Sequence, residues 1–142
     1  MIKKIAWIAI GVIAAYLIWW IVPDYFRGDK GDPRSEEYLS RIAAELNRGV
    51  PLMIDKETEL MPTSGHDGML IYNYRLVSYS WKDFDYQRFA AGARERLVQS
   101  ACSRPETRDD FLKKGVTLRY SYFDKDKQHV ATIDVTPKDC GF

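Results

Sequence analysis

A chain of 142 residues, 46% of them apolar and with a formal net charge of +1, has room for one small domain and carries no single-sign field. Setting Lys3 and Lys4 aside leaves 19 basic residues against 20 acidic ones, which excludes the basic face a nucleic-acid binder needs to meet phosphates. Two histidines and two cysteines leave little material for a zinc centre, and their spacing matches no zinc pattern.

The chain opens on Lys3 and Lys4, then runs through residues 5–22 without a charge. An 18-residue helix rises roughly 27 Å, about the hydrocarbon thickness of a bilayer. Trp19, Trp20, Tyr25 and Phe26 gather at one end of it and Trp7 stands near the other. That is the placing of interfacial aromatics, and Pro23 gives the helix a stop. The basic flank orients the segment, because short basic tails stay in the cytoplasm. A cleaved signal peptide fits less well: the apolar run is too long and the bulky Trp20, Ile21 and Val22 stand where small residues are needed. The expected layout is a cytoplasmic tail at residues 1–4, a membrane helix at 5–22, a linker at 23–34 and an exported domain at 35–142. The host would be a bacterial inner membrane, with the domain in the periplasm. Gly11 and Ala15 form a small-xxx-small pair that would let two such helices approach, a weak sign of a homodimer.

In the exported part, Ser35 is a candidate N-cap followed by Glu36 and Glu37, and Leu39, Ile42, Ala43 and Leu46 recur at helical spacing up to Gly49. Leu52, Ile54, Thr58 and Leu60 alternate with Met53, Asp55, Glu57 and Glu59, which predicts one half-exposed strand. Residues 62–68, PTSGHDG, read as a loop, and 69–78 as a second strand. Ser80 is placed to cap a helix carrying Tyr86, Phe89, Ala90, Ala93, Leu97 and Ala101. Ser103 and Glu106 have capping-box spacing for a shorter helix through Phe111 and Leu112, closed by Gly115. Residues 116–122 and 130–136 alternate as strands, and Pro137 ends the second. The order α-β-β-α-α-β-β predicts an α+β domain, one antiparallel sheet with helices on one face.

Cys102 and Cys140 would form a disulfide in an oxidising compartment. In the loop-entropy model it contributes roughly 3–4 kcal/mol. No catalytic residue, metal ligand or cofactor site is predicted. His66, between Gly65 and Asp67, is the one residue on which a hydrolase could be built, but neighbours on one loop rarely assemble a nucleophile, base and orienter. Asp124, Asp126 and His129 do not make a calcium loop, since the sixth position is His129 and the twelfth Val135. Asp55, Glu57 and Glu59 would project together from one strand as an acidic stripe. Tyr72, Tyr74, Tyr120 and Tyr122 would share one sheet face, and tyrosine serves both core and interface because its ring buries while its hydroxyl stays wet. These seven residues are the candidate partner-binding set. The function they imply is a membrane-anchored interaction module that binds another envelope protein: an accessory subunit, assembly factor or immunity-type inhibitor. A small-ligand sensor or carrier with a tyrosine-lined cavity is the alternative.

Overall fold

The computed structural model describes residues 31–83 and 85–142. The expected tail and anchor, with Gly11 and Ala15, lie outside the described residues, as do residues 23–30 of the expected linker. Among the described residues no helix is long and apolar enough to cross a membrane.

Helix α1, Glu36–Leu46, starts where the sequence predicts: the Ser35 side chain accepts from the Tyr38 N–H, and Glu36 and Glu37 occupy the first turn. The first predicted strand is two. Strand β1, Leu52–Met53, and strand β2, Thr58–His66, form a hairpin in which Leu52 lies opposite Leu60. Period-two alternation runs through both arms, so the pattern hides the reversal. Asp55 makes the turn, its Oδ1 accepting from the N–H groups of Glu57 and Thr58 at 2.8 Å each.

The predicted loop at 62–68 is mostly strand. Strand β2 continues to His66, and only Asp67 and Gly68 turn, with φ of 53° and 71°. Two positive φ values suit a tight hairpin, and Asp-Gly is its readable signature. Strand β3, Met69–Leu76, ends two residues before the predicted boundary.

Helix α2, Tyr86–Ser103, is capped by Asp85, whose side chain accepts from the Arg88 N–H, and not by Ser80. Ser80 instead opens a 3-10 turn at Trp81–Asp83. Ser103 is not the cap of the next helix either. It closes α2, its hydroxyl donating to the Gln99 carbonyl, and α3, Pro105–Arg108, follows Arg104 directly. The hydroxyl found a nearer acceptor one turn back. Gly115, at φ 88°, ends the 3-10 turn Leu112–Lys114.

Strands β4, Thr117–Phe123, and β5, His129–Val135, form the closing hairpin. The sheet order is β1-β2-β3-β4-β5, and β3 runs parallel to β4. The sheet is therefore mixed, not wholly antiparallel. The helical segment between β3 and β4 returns the chain to the starting end of β3, and a parallel neighbour needs such a crossover.

Helices α1 and α2 cover the same sheet face. The core joins Leu39 and Ala43 of α1 and Ala101 of α2 to Leu70, Leu118, Tyr120 and Val135 of the sheet. Cys102 is bonded to Cys140, with Cα atoms 5.4 Å apart, tying the end of α2 to the C-terminal turn. The crossover is held at its other end by Asp124, which is fully buried. Its carboxylate accepts N–H groups from Trp81, Asp126 and Gln128 at 2.8–2.9 Å. Burial pushes its pKa up, but the N–H donors outweigh that and hold the carboxyl below its usual range.

Candidate functional site

The parallel pairing of β3 and β4 places Tyr72 beside Tyr120 and Tyr74 beside Tyr122. All four rings stand on the face that the helices cover. Tyr72 and Tyr120 stack with centroids 5.3 Å apart, Tyr74 and Tyr120 at 6.2 Å, and Tyr74 and Tyr122 tilt together at 5.4 Å. The four predicted tyrosines therefore form one continuous ring ladder. Burial pushes the Tyr72 phenol up to about 12, and pushes Tyr74, Tyr120 and Tyr122 above the usual tyrosine value. They stay neutral at any physiological pH.

Tyr122 ends the ladder at an open groove of about 870 Å³. Phe89 of α2 meets its ring edge-on at 5.2 Å. The floor is Tyr122 and Leu76. One wall is α2, through Phe89, Ala93, Arg96, Leu97 and Ser100; the other is the β1–β2 turn from Ile54 to Thr58. The groove lies where α2, packed on β5, and this turn leave the Leu76 and Tyr122 end of the helix-covered face open. Positions 89, 93, 96, 97 and 100 share one helical face. Arg96 and Ser100 interrupt that otherwise apolar face, and this was the readable sign of a groove wall that sequence reasoning passed over.

The predicted acidic stripe does not form. Asp55 lies in the turn and is committed to two backbone N–H groups, which lower its pKa. Glu57 Oε1 accepts from the Tyr79 hydroxyl at 2.8 Å. Glu59, on β2, accepts from Arg75 Nε at 3.0 Å across the sheet. A hairpin turn between Asp55 and Glu59 breaks the period-two geometry a stripe requires. Asp55 and Glu57 do reach the groove rim; Glu59 does not.

Exposed apolar residues adjoin the groove wall. Leu52, Met53 and Ile54 are about half exposed in succession, at 51%, 47% and 50%. Three such residues in a row are unusual on a solvated edge strand.

His66 sits at the exposed end of β2, where Nδ1 meets Asp67 Oδ2 at 3.0 Å. It does not line the groove. His129 Nε2 meets Thr132 Oγ1 at 2.7 Å on the closing hairpin. Among the described residues no cluster of three or more His, Cys, Asp or Glu is placed to hold a metal ion.

No family model and no curated protein matches the chain. Solved structures do. A candidate secreted protein of Pseudomonas aeruginosa is 23% identical with a TM-score of 0.64, over 79% of this chain and 97% of its own. A pilotin from the type II secretion system of Vibrio vulnificus is 17% identical with a TM-score of 0.62, over 78% of this chain and 96% of its own. The type II secretion pilotin of Vibrio cholerae is 17% identical with a TM-score of 0.56, over 74% and 91%. The shared feature is the fold.

Proposed function

We propose that this chain is a non-catalytic docking module of the bacterial cell envelope, held to the inner membrane by residues 5–22 and presenting its domain to the periplasm. The groove between α2 and the β1–β2 turn receives a segment of another envelope protein. The observation that carries this reading is the groove itself: an apolar floor and wall, open to solvent, beside the exposed run Leu52, Met53 and Ile54. Its fold is that of two type II secretion pilotins, which favours an accessory role beside an envelope assembly. The disulfide fits an oxidising compartment. A membrane tether raises the local concentration of the domain near membrane partners, so modest affinity suffices.

The test is site-specific photo-crosslinking in native membranes with the full-length chain, the crosslinker replacing Ser100 in the groove and, as a control, Thr132 on the opposite sheet face. A discrete protein adduct from position 100 and none from position 132 is expected. Equal or absent labelling at both would overturn the reading. A small-ligand carrier is the second reading, favoured by a cavity within the usual pocket scale of about 300–1,000 Å³ with Tyr122 in its floor. A stoichiometric small molecule retained by the native protein would establish it.

A further inference from the structure

We infer that the Cys102–Cys140 disulfide is a redox latch on the groove. Oxidised, it holds α2 down as a firm wall; reduced, it lets α2 open away from the sheet, and the groove loses its hold on an occupant. The binding half of this inference rests on the docking function proposed above; the motion of α2 does not. Helix α2 supplies one wall of the groove, yet its apolar hold is slight. Its buried residues are Ala93 and Ala101, while Phe89, Leu97 and Val98 are partly exposed. A buried alanine removes far less apolar surface from water than a buried leucine. Helix α1, by contrast, sets the fully buried Leu39 against the backbone of β2 at Gly65. Elements with little buried apolar surface open first.

What α2 lacks in burial the C-terminal turn, Pro137–Cys140, supplies. Cys102 stands one residue from the end of α2 and is bonded to Cys140. About two helical turns earlier, Arg94 donates to Asp139 Oδ1 at 2.8 Å and to the Asp134 carbonyl at 2.9 Å. The turn is itself locked, since Asp139 Oδ2 accepts from the Thr136 N–H at 2.9 Å and the Thr136 hydroxyl accepts from the Asp139 N–H. Arg94 is half exposed, and an exposed ion pair contributes little. The covalent tie therefore carries the restraint. Both cysteines are partly exposed, so a thiolate can reach the bond. The switching reagent is a dithiol, of protein or small-molecule origin. One of its thiolates attacks one sulfur of the pair and displaces the other cysteine, which takes up a proton. Its second thiol then displaces the first cysteine. The reductant leaves as a disulfide and Cys102 and Cys140 as thiols, two electrons and two protons having moved.

The experiment uses the full-length chain in lipid nanodiscs, oxidised, reduced with dithiothreitol, and as the double variant Cys102→Ser, Cys140→Ser. Amide hydrogen exchange read by mass spectrometry should be at least about tenfold faster over α2 and the C-terminal turn in the reduced chain and in the variant. Exchange over β2 and β3 should not change. Arg94→Ala in the oxidised chain should alter α2 exchange by less than reduction does. Unchanged α2 exchange, or faster exchange throughout the domain, overturns the inference, because the bond is then only a staple of the whole fold. An effect of Arg94→Ala as large as that of reduction overturns it too. In native membranes the adduct from position 100 should weaken at least about tenfold in the double variant. An adduct equally strong with and without the bond overturns the latch and leaves the docking function standing. No adduct in either state removes the docking function, and faster exchange confined to α2 and the C-terminal turn then still supports the latch.

Discussion

The side-chain amide of Asn47 pairs with both backbone groups of Thr63: Oδ1 accepts the Thr63 N–H at 2.6 Å, and Nδ2 donates to the Thr63 carbonyl at 2.8 Å. Asn47 thus acts as a one-residue strand on the outer edge of β2, beyond the reach of the short β1. Its pull coincides with the register shift between Met61 and Ser64, where β2 bulges away from β3. Ser40 continues the cover by donating to the Gly65 carbonyl at 3.2 Å. Asn47→Ala strands two backbone groups at once, and each half-buried group left unpaired costs about 1 kcal/mol. Urea denaturation should show a loss of about 1–3 kcal/mol. A change within experimental error would mean that water replaces the amide at no cost.

Thr63 itself is 4% exposed, and its hydroxyl is buried with no hydrogen-bond partner among the described residues. Valine has nearly the same shape and no hydroxyl to desolvate. Thr63→Val should be neutral or stabilising by up to about 1 kcal/mol, read as a higher denaturation midpoint. A destabilised variant would place an ordered water on that hydroxyl.

Gly65 of β2 lies directly against the backbone of α1 at Leu39. A Cβ added there would lie 2.5 Å from both the carbonyl carbon and the Cβ of Leu39. No rotamer change relieves a clash with backbone, so α1 must lift off β2. Gly65→Ala should cost at least the roughly 1–3 kcal/mol typical of overpacking, measured by thermal unfolding. Trimming Leu39 to Ala should not rescue it, because the obstructing atoms remain. Rescue by that second substitution would sink the explanation.

The Cys102–Cys140 bond closes a loop across 38 positions of sequence. Replacing both cysteines by serine should lower stability by about 2–4 kcal/mol. Protein isolated without reductant should show no alkylatable thiol until it is reduced.

The tyrosine ladder predicts a dependence on alkaline pH. Folding raises the phenol pKa of Tyr72 from its ordinary value near 10 to about 12. A neutral acid favoured by the fold contributes stability that is complete below the unfolded pKa and is lost as pH rises through the folded one. Stability should therefore hold up to about pH 10 and fall between there and about 12. Ultraviolet titration should resolve an early phase from exposed tyrosines and a late one that coincides with unfolding. Tyr72→Phe should shrink the late phase alone. Ionisation of all nine tyrosines in one early phase would contradict the packing.

The sequence by itself determined the parts that local chemistry controls. Ser35 caps α1 because its hydroxyl stands beside the free N–H groups of an acidic first turn, and Tyr72, Tyr74, Tyr120 and Tyr122 share a face because a strand alternates. The cysteine pair was legible as well, from its count and the expectation of export to an oxidising compartment. Only the tertiary structure decided how the strands meet. Alternation is the same on both arms of a hairpin, so nothing in it revealed that Asp55 turns the chain, and the acidic stripe disappeared with that turn. Nor does periodicity carry direction, so the parallel pairing of β3 and β4 appeared only when the crossover through α2 was placed. That pairing stacks the tyrosines, and the standing turn beside α2 opens the groove. The groove belongs to four segments of the chain, and no single stretch of sequence contains it.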